Sequence, residues 1–291
     1  MKIKFYLSVL LAVFIFFIAV IPAQAFGITP IKSLFTVDPN TSRTITLKIK
    51  NSEKNNLTFK LNVLGMIQDE DGKPVFARGI DAAESWVYPE SNLVNIKSGE
   101  TKSVNFFIKT PADAVSGSYY LGLTVEPVLE KNIQNALATR LVSLLTLEVK
   151  GMVRESVLVE KFLPLSGISN SKNWKFDLNL KNNGTIEVLM RGKIAIRNWQ
   201  GEEIFSEPVI LGNKLLAGSK RVLHPEIILK NNINLPGFYS AQIKINYGRT
   251  NQVVSAIDYI WYFPMWSKIV LGIIILILVF LIFRKVKKGK R

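Results

Sequence analysis

Between Thr29 and Tyr262 the dominant pattern is alternation with a period of two. Ile45, Leu47 and Ile49 alternate with Thr46, Lys48 and Lys50, and Leu57, Phe59, Leu61 and Val63 with Thr58, Lys60 and Asn62. Val104, Phe106 and Ile108 continue it, followed by Tyr119, Leu121, Leu123 and Val125. Successive side chains of a strand point to opposite faces, so each run predicts a strand with one buried and one solvated face. The second half repeats the pattern: Trp174, Phe176, Leu178 and Leu180 form one run, and Ala241, Ile243, Ile245 and Tyr247 another. Leu137 to Val149 is apolar on both faces in its middle, which predicts either a central strand or one shared between two sheets. Polar and glycine-containing breaks separate the runs: Asn51 to Asn56, Asp71-Gly72, Ser98-Gly99 and Asn182-Asn183-Gly184. Strands with turns at such spacing predict antiparallel β-sandwiches.

A faint internal repeat sets their number. Ser98-Gly99-Glu100-Thr101 is echoed by Ala217-Gly218-Ser219-Lys220. Some twenty residues later Gly117-Ser118-Tyr119 is echoed by Gly237-Phe238-Tyr239. In both halves a glycine turn opens a basic strand, and a glycine and a tyrosine open an apolar one. The tyrosine is placed to close a sandwich corner with its hydroxyl. The alternation breaks near Gly151, with no proline- or serine-rich linker. The expectation is an all-β chain of two tandem immunoglobulin-like sandwiches, residues 26–152 and 153–264, sitting close together.

The two ends follow a different pattern. Lys2 and Lys4 precede an apolar run from Phe5 to Ile21, and Ala23-Gln24-Ala25 supplies small residues, so residues 1–25 read as a signal peptide. Residues 265–283 are apolar and long enough, about 28 Å as a helix, for one transmembrane span. Trp261, Tyr262 and Trp266 stand at the outer boundary, and residues 284–291 hold six positive charges. The positive-inside rule puts that short tail in the cytoplasm and the sandwiches outside.

Composition narrows the chemistry. The chain of 291 residues has a formal charge of +15, but nine of its 37 basic residues flank the terminal apolar runs. The 28 that remain face 22 acidic residues, a mild excess of +6 with no recognition motif, which excludes a nucleic-acid groove. With no cysteine and one histidine, thiolate metal sites, thiol nucleophiles, disulfides and multi-histidine sites are excluded. Zero cysteine in an exported chain fits a bacterial envelope. No phosphate-cradling glycine loop or nucleophile elbow is present, so no enzyme and no cofactor is expected.

Candidate residues reduce to a few. Asp69-Glu70-Asp71-Gly72-Lys73 resembles part of a calcium loop, but its twelfth position is Ile80, and a solvated hairpin turn is the expectation. His224 is expected at the surface, and Glu202 and Glu203 are expected on opposite faces and not as a catalytic pair. Trp174, in phase with Phe176, is expected in the core, as is Trp86. Trp199, beside Asn198 and Gln200 at a hairpin, is the exposed aromatic best placed to bind a ligand.

Several stretches together resemble the bacterial WxL-interacting-protein family. They are Phe35 to Pro39, Ile49-Lys50-Asn51, Ser85-Trp86-Val87, Pro111 to Ala114, Arg140 to Leu145, Leu180 to Gly184, Gly192 to Ile196 and Pro236 to Tyr239. The resemblance implies tandem immunoglobulin-like modules related in fold to pilus chaperones, anchored at the membrane. It also implies partners such as peptidoglycan, another wall polymer or surface proteins. The main expectation is a non-enzymatic, membrane-anchored binding or scaffolding protein of the cell envelope. The alternative is an anchored assembly chaperone that acts by β-strand complementation. That reading needs an unprotected apolar edge strand beside a basic anchor, for which Leu137 to Val149, with Arg140 and Lys150, is the candidate.

Overall fold

The computed structural model describes residues 26–128, 139–212, 214–229 and 233–288, so the expected signal peptide lies outside the described residues. The described residues are all-β apart from a short 3-10 turn at Ala82–Trp86 and one C-terminal helix.

The first sandwich pairs two sheets. One runs in the order β1 (Phe26–Thr29), β3 (Ser42–Asn51), β8 (Thr101–Lys109), β6 (Val87–Pro89). The other runs β2 (Lys32–Val37), β10 (Leu141–Val149), β9 (Gly117–Pro127), β4 (Leu57–Gln68), β5 (Pro74–Ala77), with β7 (Leu93–Ile96) also on β4. The opening segment changes sheets at Pro30: β1 is antiparallel to β3, whereas β2 is parallel to β10. Proline has no N–H to continue the first ladder. Leu47, Ile49, Phe59, Phe106, Leu121, Leu123, Leu145 and Leu147 are fully buried between the sheets, on the faces that the alternation predicts.

The second sandwich repeats this plan. β11 (Val157–Pro164), β13 (Asn173–Asn182) and β16 (Lys220–Leu223) form one sheet, with β17 (Glu226–Ile228) on β13. The facing sheet runs β12 (Ile168–Ser169), β19 (Gln252–Tyr262), β18 (Gly237–Tyr247), β14 (Met190–Arg197), β15 (Glu203–Val209). Here too the opening segment changes sheets, and β12 joins the last strand in parallel. Trp174, 2% exposed, lies in this core against Tyr239 and Tyr262.

The repeat seen in the sequence has a structural counterpart. Tyr119 Oη donates to Val115 O at 2.7 Å, and Tyr239 Oη to Leu235 O at 2.9 Å. A second matched pair is Asn51 and Asn182, each fully buried at a strand end. Asn51 Nδ2 donates to Asn55 O and Ile96 O, and Asn182 Nδ2 to Ile186 O and Leu215 O. Their Oδ1 atoms accept from Glu53 N and Gly184 N. Each amide satisfies backbone groups that would otherwise be buried unpaired where a strand ends.

After β19, Phe263 and Pro264 lead into α1 (Met265–Lys288). Its Met265–Lys285 portion is long and apolar enough to cross a membrane. The helix continues past Phe283, the last residue of the expected span, because Arg284 and Lys285 are good helix formers and cations favour a helix C-terminus.

Candidate functional site

Trp199 lies 69% exposed at the tip of the β14–β15 hairpin. Trp86 is half-buried, its ring 4.6 Å from that of Tyr119 and packed on the first core. His224 is exposed, with Nδ1 3.0 Å from Asp177 Oδ1. The hydrogen bond from Lys161, then that from His224, holds the Asp177 carboxyl below the usual carboxylate range. Glu202 accepts from Asn198 in the hairpin turn, while Glu203 pairs with Arg197 at 3.3 Å. The two carboxylates thus serve separate local contacts.

The Leu137 to Val149 run is placed as the expected central strand and not as the free edge that the chaperone alternative needs. From Leu144 to Val149, β10 is paired on both sides, with β9 and with β2. It is therefore a central strand there, which explains why its middle is apolar on both faces. Arg140 pairs with Glu126, and Lys150 with Asp38 at 3.0 Å, so both proposed basic anchors are engaged. The ladder to β2 begins at Leu144, whose N donates to Ile31 O at 2.8 Å, and the buried Ser143 donates through Oγ to Pro30 O at 2.7 Å, so only the outer side of Leu141 and Val142 lies beyond these contacts. Leu137 and Ala138 lie outside the described residues.

The most developed arrangement outside the two cores is the joint between the sandwiches. Met66 on β4, Tyr120 on β9 and Leu216 from the second sandwich are buried together, with Phe76, Leu144 and Ala217 packed around them. Tyr120 and Met66 stand on the face of their sheet opposite the first core. Around this apolar patch polar groups cross between the sandwiches. Gln68 Nε2 donates to Lys214 O at 3.2 Å, and its Oε1 accepts from Leu216 N at 3.2 Å. Ala217 N donates to Tyr120 Oη, Val222 N to Glu70 O at 2.8 Å, and Ser118 N to Thr185 O at 2.8 Å.

Arg221 is the charged centre of the joint, 3% exposed. It donates to Leu211 O, Lys214 O and Gln68 Oε1 at 3.2–3.4 Å, while its Nε is buried without a partner. Burial lowers its pKa, and nearby Asp69 partly opposes the shift. The Asp69–Lys73 turn is solvated at Glu70, Asp71 and Lys73, as expected, while its Gly72 packs on this guanidinium. Gly72 approaches so closely that a Cβ there would stand 2.4 Å from Arg221 Cζ. The turn itself is the expected hairpin, closed by Gly72 N donating to Asp69 O at 2.9 Å. What the local pattern missed is that one side of it touches a second unit.

A second clamp lies beyond this centre. Arg249, in the β18–β19 turn, makes a bidentate pair with Glu148 of β10, at 3.0 and 2.8 Å. The hydrogen bond from Arg249 holds the Glu148 carboxyl below its ordinary range. Glu155, between the sandwiches, accepts from Thr250 N and Oγ1 and steadies the same turn. Such bidentate, charge-assisted contacts fix orientation as well as adding energy.

Beside the joint a cleft of about 460 Å³ opens between the sandwiches. Met66, Tyr120, Leu144 and Leu216 give it an apolar floor, and Lys32, Glu187 and Lys214 bring charge to it. Lys214 is paired with Glu187. Lys32 is exposed and is the register partner of Leu144, at the point where the β2 ladder begins. Pro30 and Ile31, bonded to Ser143 and Leu144, lie between Lys32 and the uncovered Leu141 and Val142 of β10.

No family model matches the sequence, and no curated protein matches it. Several solved structures are similar at low identity. One is from a chaperone–tip adhesin complex of CFA/I fimbriae biogenesis, at 13% identity, covering 82% of this chain and 99% of that one, with a TM-score of 0.46. Another is the class 5 fimbriae chaperone CfaA, at 11% identity, covering 83% of this chain and 100% of that one, with a TM-score of 0.43. A third is from the CsuC–CsuE chaperone–tip subunit pre-assembly complex of Acinetobacter baumannii, at 17% identity, covering 68% and 89%, with a TM-score of 0.38.

Proposed function

We propose that this chain is a non-enzymatic, membrane-anchored envelope protein that holds an extended segment of a partner surface protein, as an anchored chaperone does. The carrying observation is an uncovered strand edge near a charged cleft. The β2 ladder stops at Leu144 and Pro30 engages Ser143, so a segment added beside Leu141 and Val142 would find an unpaired side of β10. Such addition gains main-chain hydrogen bonds and tolerates many side chains. Continued past Pro30 and Ile31, the segment would meet Lys32 and the apolar floor of the cleft. Lys32 suits a carboxylate, from an acidic side chain or a chain terminus. The clamped joint supports the reading too, because a cleft between two units binds well only when their angle is held. In this reading α1 crosses the membrane once, the tail is cytoplasmic, and residues 26–152 and 153–264 are the two exported units.

The test is a photo-crosslinking amino acid at Val142 in the full-length protein in cells, with and without Lys32→Glu. The expected result is crosslinking to a discrete surface protein, greatly reduced by the charge reversal. Hydrogen exchange at Val142, whose N–H shares the outer side with that of Leu144, should slow when that partner is bound. Crosslinking indifferent to Lys32, with no change in exchange, would sink the reading.

A further inference from the structure

Five exposed apolar residues of the second sandwich gather at the end where the chain enters α1. We propose that this end is itself a lipid-contact surface. Ile168, Trp199, Leu235, Phe238 and Trp261 would form a collar resting in the headgroup layer of the bilayer that α1 spans. The proposal rests on the membrane-anchored reading of α1 and adds a second, peripheral contact to it.

Four observations place these residues together. Ile168 and Phe238 are both register partners of Trp261, one on each side of it. The Phe238 and Trp261 ring centroids are 3.9 Å apart. Trp199 Cδ1 lies 3.9 Å from where a Cβ on Gly237 would stand, so the β14–β15 hairpin reaches the same end. Leu235 precedes β18 there, its carbonyl held by Tyr239. Ile168, Trp199 and Leu235 are each more than 60% exposed. A soluble surface rarely gathers so much apolar area without something to cover it.

The tether decides what covers it. Only Phe263 and Pro264 separate β19 from α1, a reach of about 7 Å at most. The headgroup region on each side of a bilayer is about 5–7 Å thick. Pro264 and Ser267 are buried, so the sandwich meets the first helical turn without a gap. Trp261 and its strand neighbours, spaced about 4.8 Å apart, must then lie at the level of the headgroups. Indole rings favour that layer, where an apolar body and an N–H are both satisfied. The hairpin presenting Trp199 is stiff: Asn198 Oδ1 accepts from Gln200 N and Glu202 N, both at 3.0 Å. At the other end of the β18–β19 hairpin, Arg249 clamps the first sandwich. The second sandwich would thus stand as a footed post between bilayer and cleft.

Because the chain has no cysteine, single labels are straightforward. Full-length protein is reconstituted in phosphatidylcholine vesicles with a spin label at Trp199→Cys, Leu235→Cys, Leu276→Cys or Ile210→Cys. Ile210 is 90% exposed and lies at the opposite end of its sheet. Collision with oxygen and with a water-soluble nickel chelate is read for each label. The expected result is that labels 199 and 235 lose nickel access several-fold relative to label 210 and gain oxygen access. If labels 199 and 235 match label 210 while label 276 stays shielded from nickel, the collar is refuted and the anchor stands. If label 276 is also open to nickel, both fall. Loss of oxygen and nickel access together would mean that protein covers the collar, which also overturns the proposal.

Discussion

Replacing Gly72 with alanine tests whether the joint is a rigid, charged contact or a loose apposition. Gly72 has φ +83°, a conformation that costs a residue with a Cβ about 1–2 kcal/mol. Gly79 has nearly the same φ, +77°, but a Cβ there would meet nothing within 4 Å. Gly79→Ala therefore measures the backbone cost alone. At Gly72 the added methyl would also collide with the Arg221 guanidinium, 2.4 Å away. That group is buried and held by three acceptors, Leu211 O, Lys214 O and Gln68 Oε1. Moving it sacrifices at least one hydrogen bond from a charged donor, about 1.5–3 kcal/mol. Gly72→Ala should thus cost about 3–5 kcal/mol in all, and Gly79→Ala about 1–2. The assay is urea unfolding of the full chain in micelles, with limited proteolysis between the sandwiches as a readout of the joint. Gly72→Ala should loosen the joint at lower urea than Gly79→Ala. Equal behaviour of the two variants would refute the close contact with Arg221 and the rigidity inferred from it.

Two further outcomes follow from particular contacts. Trp174→Ala removes a buried ring packed against Tyr239 and Tyr262 and should cost about 3–5 kcal/mol, whereas Trp199→Ala, at an exposed hairpin tip, should cost under about 1; thermal melts compare them, and an unchanged melt for Trp174→Ala would contradict the packing. The Glu148–Arg249 pair predicts a pH dependence: Glu148 titrates below its unfolded value of about 4.5, so its contribution is complete above that pH and is lost as pH falls through the lower folded value. The effect should reach about 1 kcal/mol at most, since Arg249 is largely exposed, and Glu148→Gln should abolish it in unfolding curves taken down the acid limb.

Much of the fold was legible in the sequence because alternation reports directly which face of a strand meets its own core. Ile45 to Ile49, Phe59 to Val63 and Trp174 to Leu180 follow that rule strand by strand. The paired tyrosine corners were legible from the repeat, since a glycine and a tyrosine recur at matched spacing before an apolar strand. The apolar run from Met265 announced the helix, because only a long unbroken run suits a membrane span. The joint was not legible. Gln68, Glu70 and Gly72 look like a solvated turn, and Lys214 to Val222 like another; nothing local marks that they meet. Alternation also cannot separate a strand covered by its neighbours from one left open, so the Leu137–Val149 run read equally as a central strand or a free edge. Tertiary pairing decided it, with β2 covering Leu144 to Val149 and stopping there. The proposed collar is a similar case: Ile168, Phe238 and Trp261 lie far apart in the chain and become neighbours only through strand register. A residue's local pattern records its relation to one sheet. Contacts between sheets and between sandwiches depend on groups far apart in the sequence, and the folded chain alone brings them together.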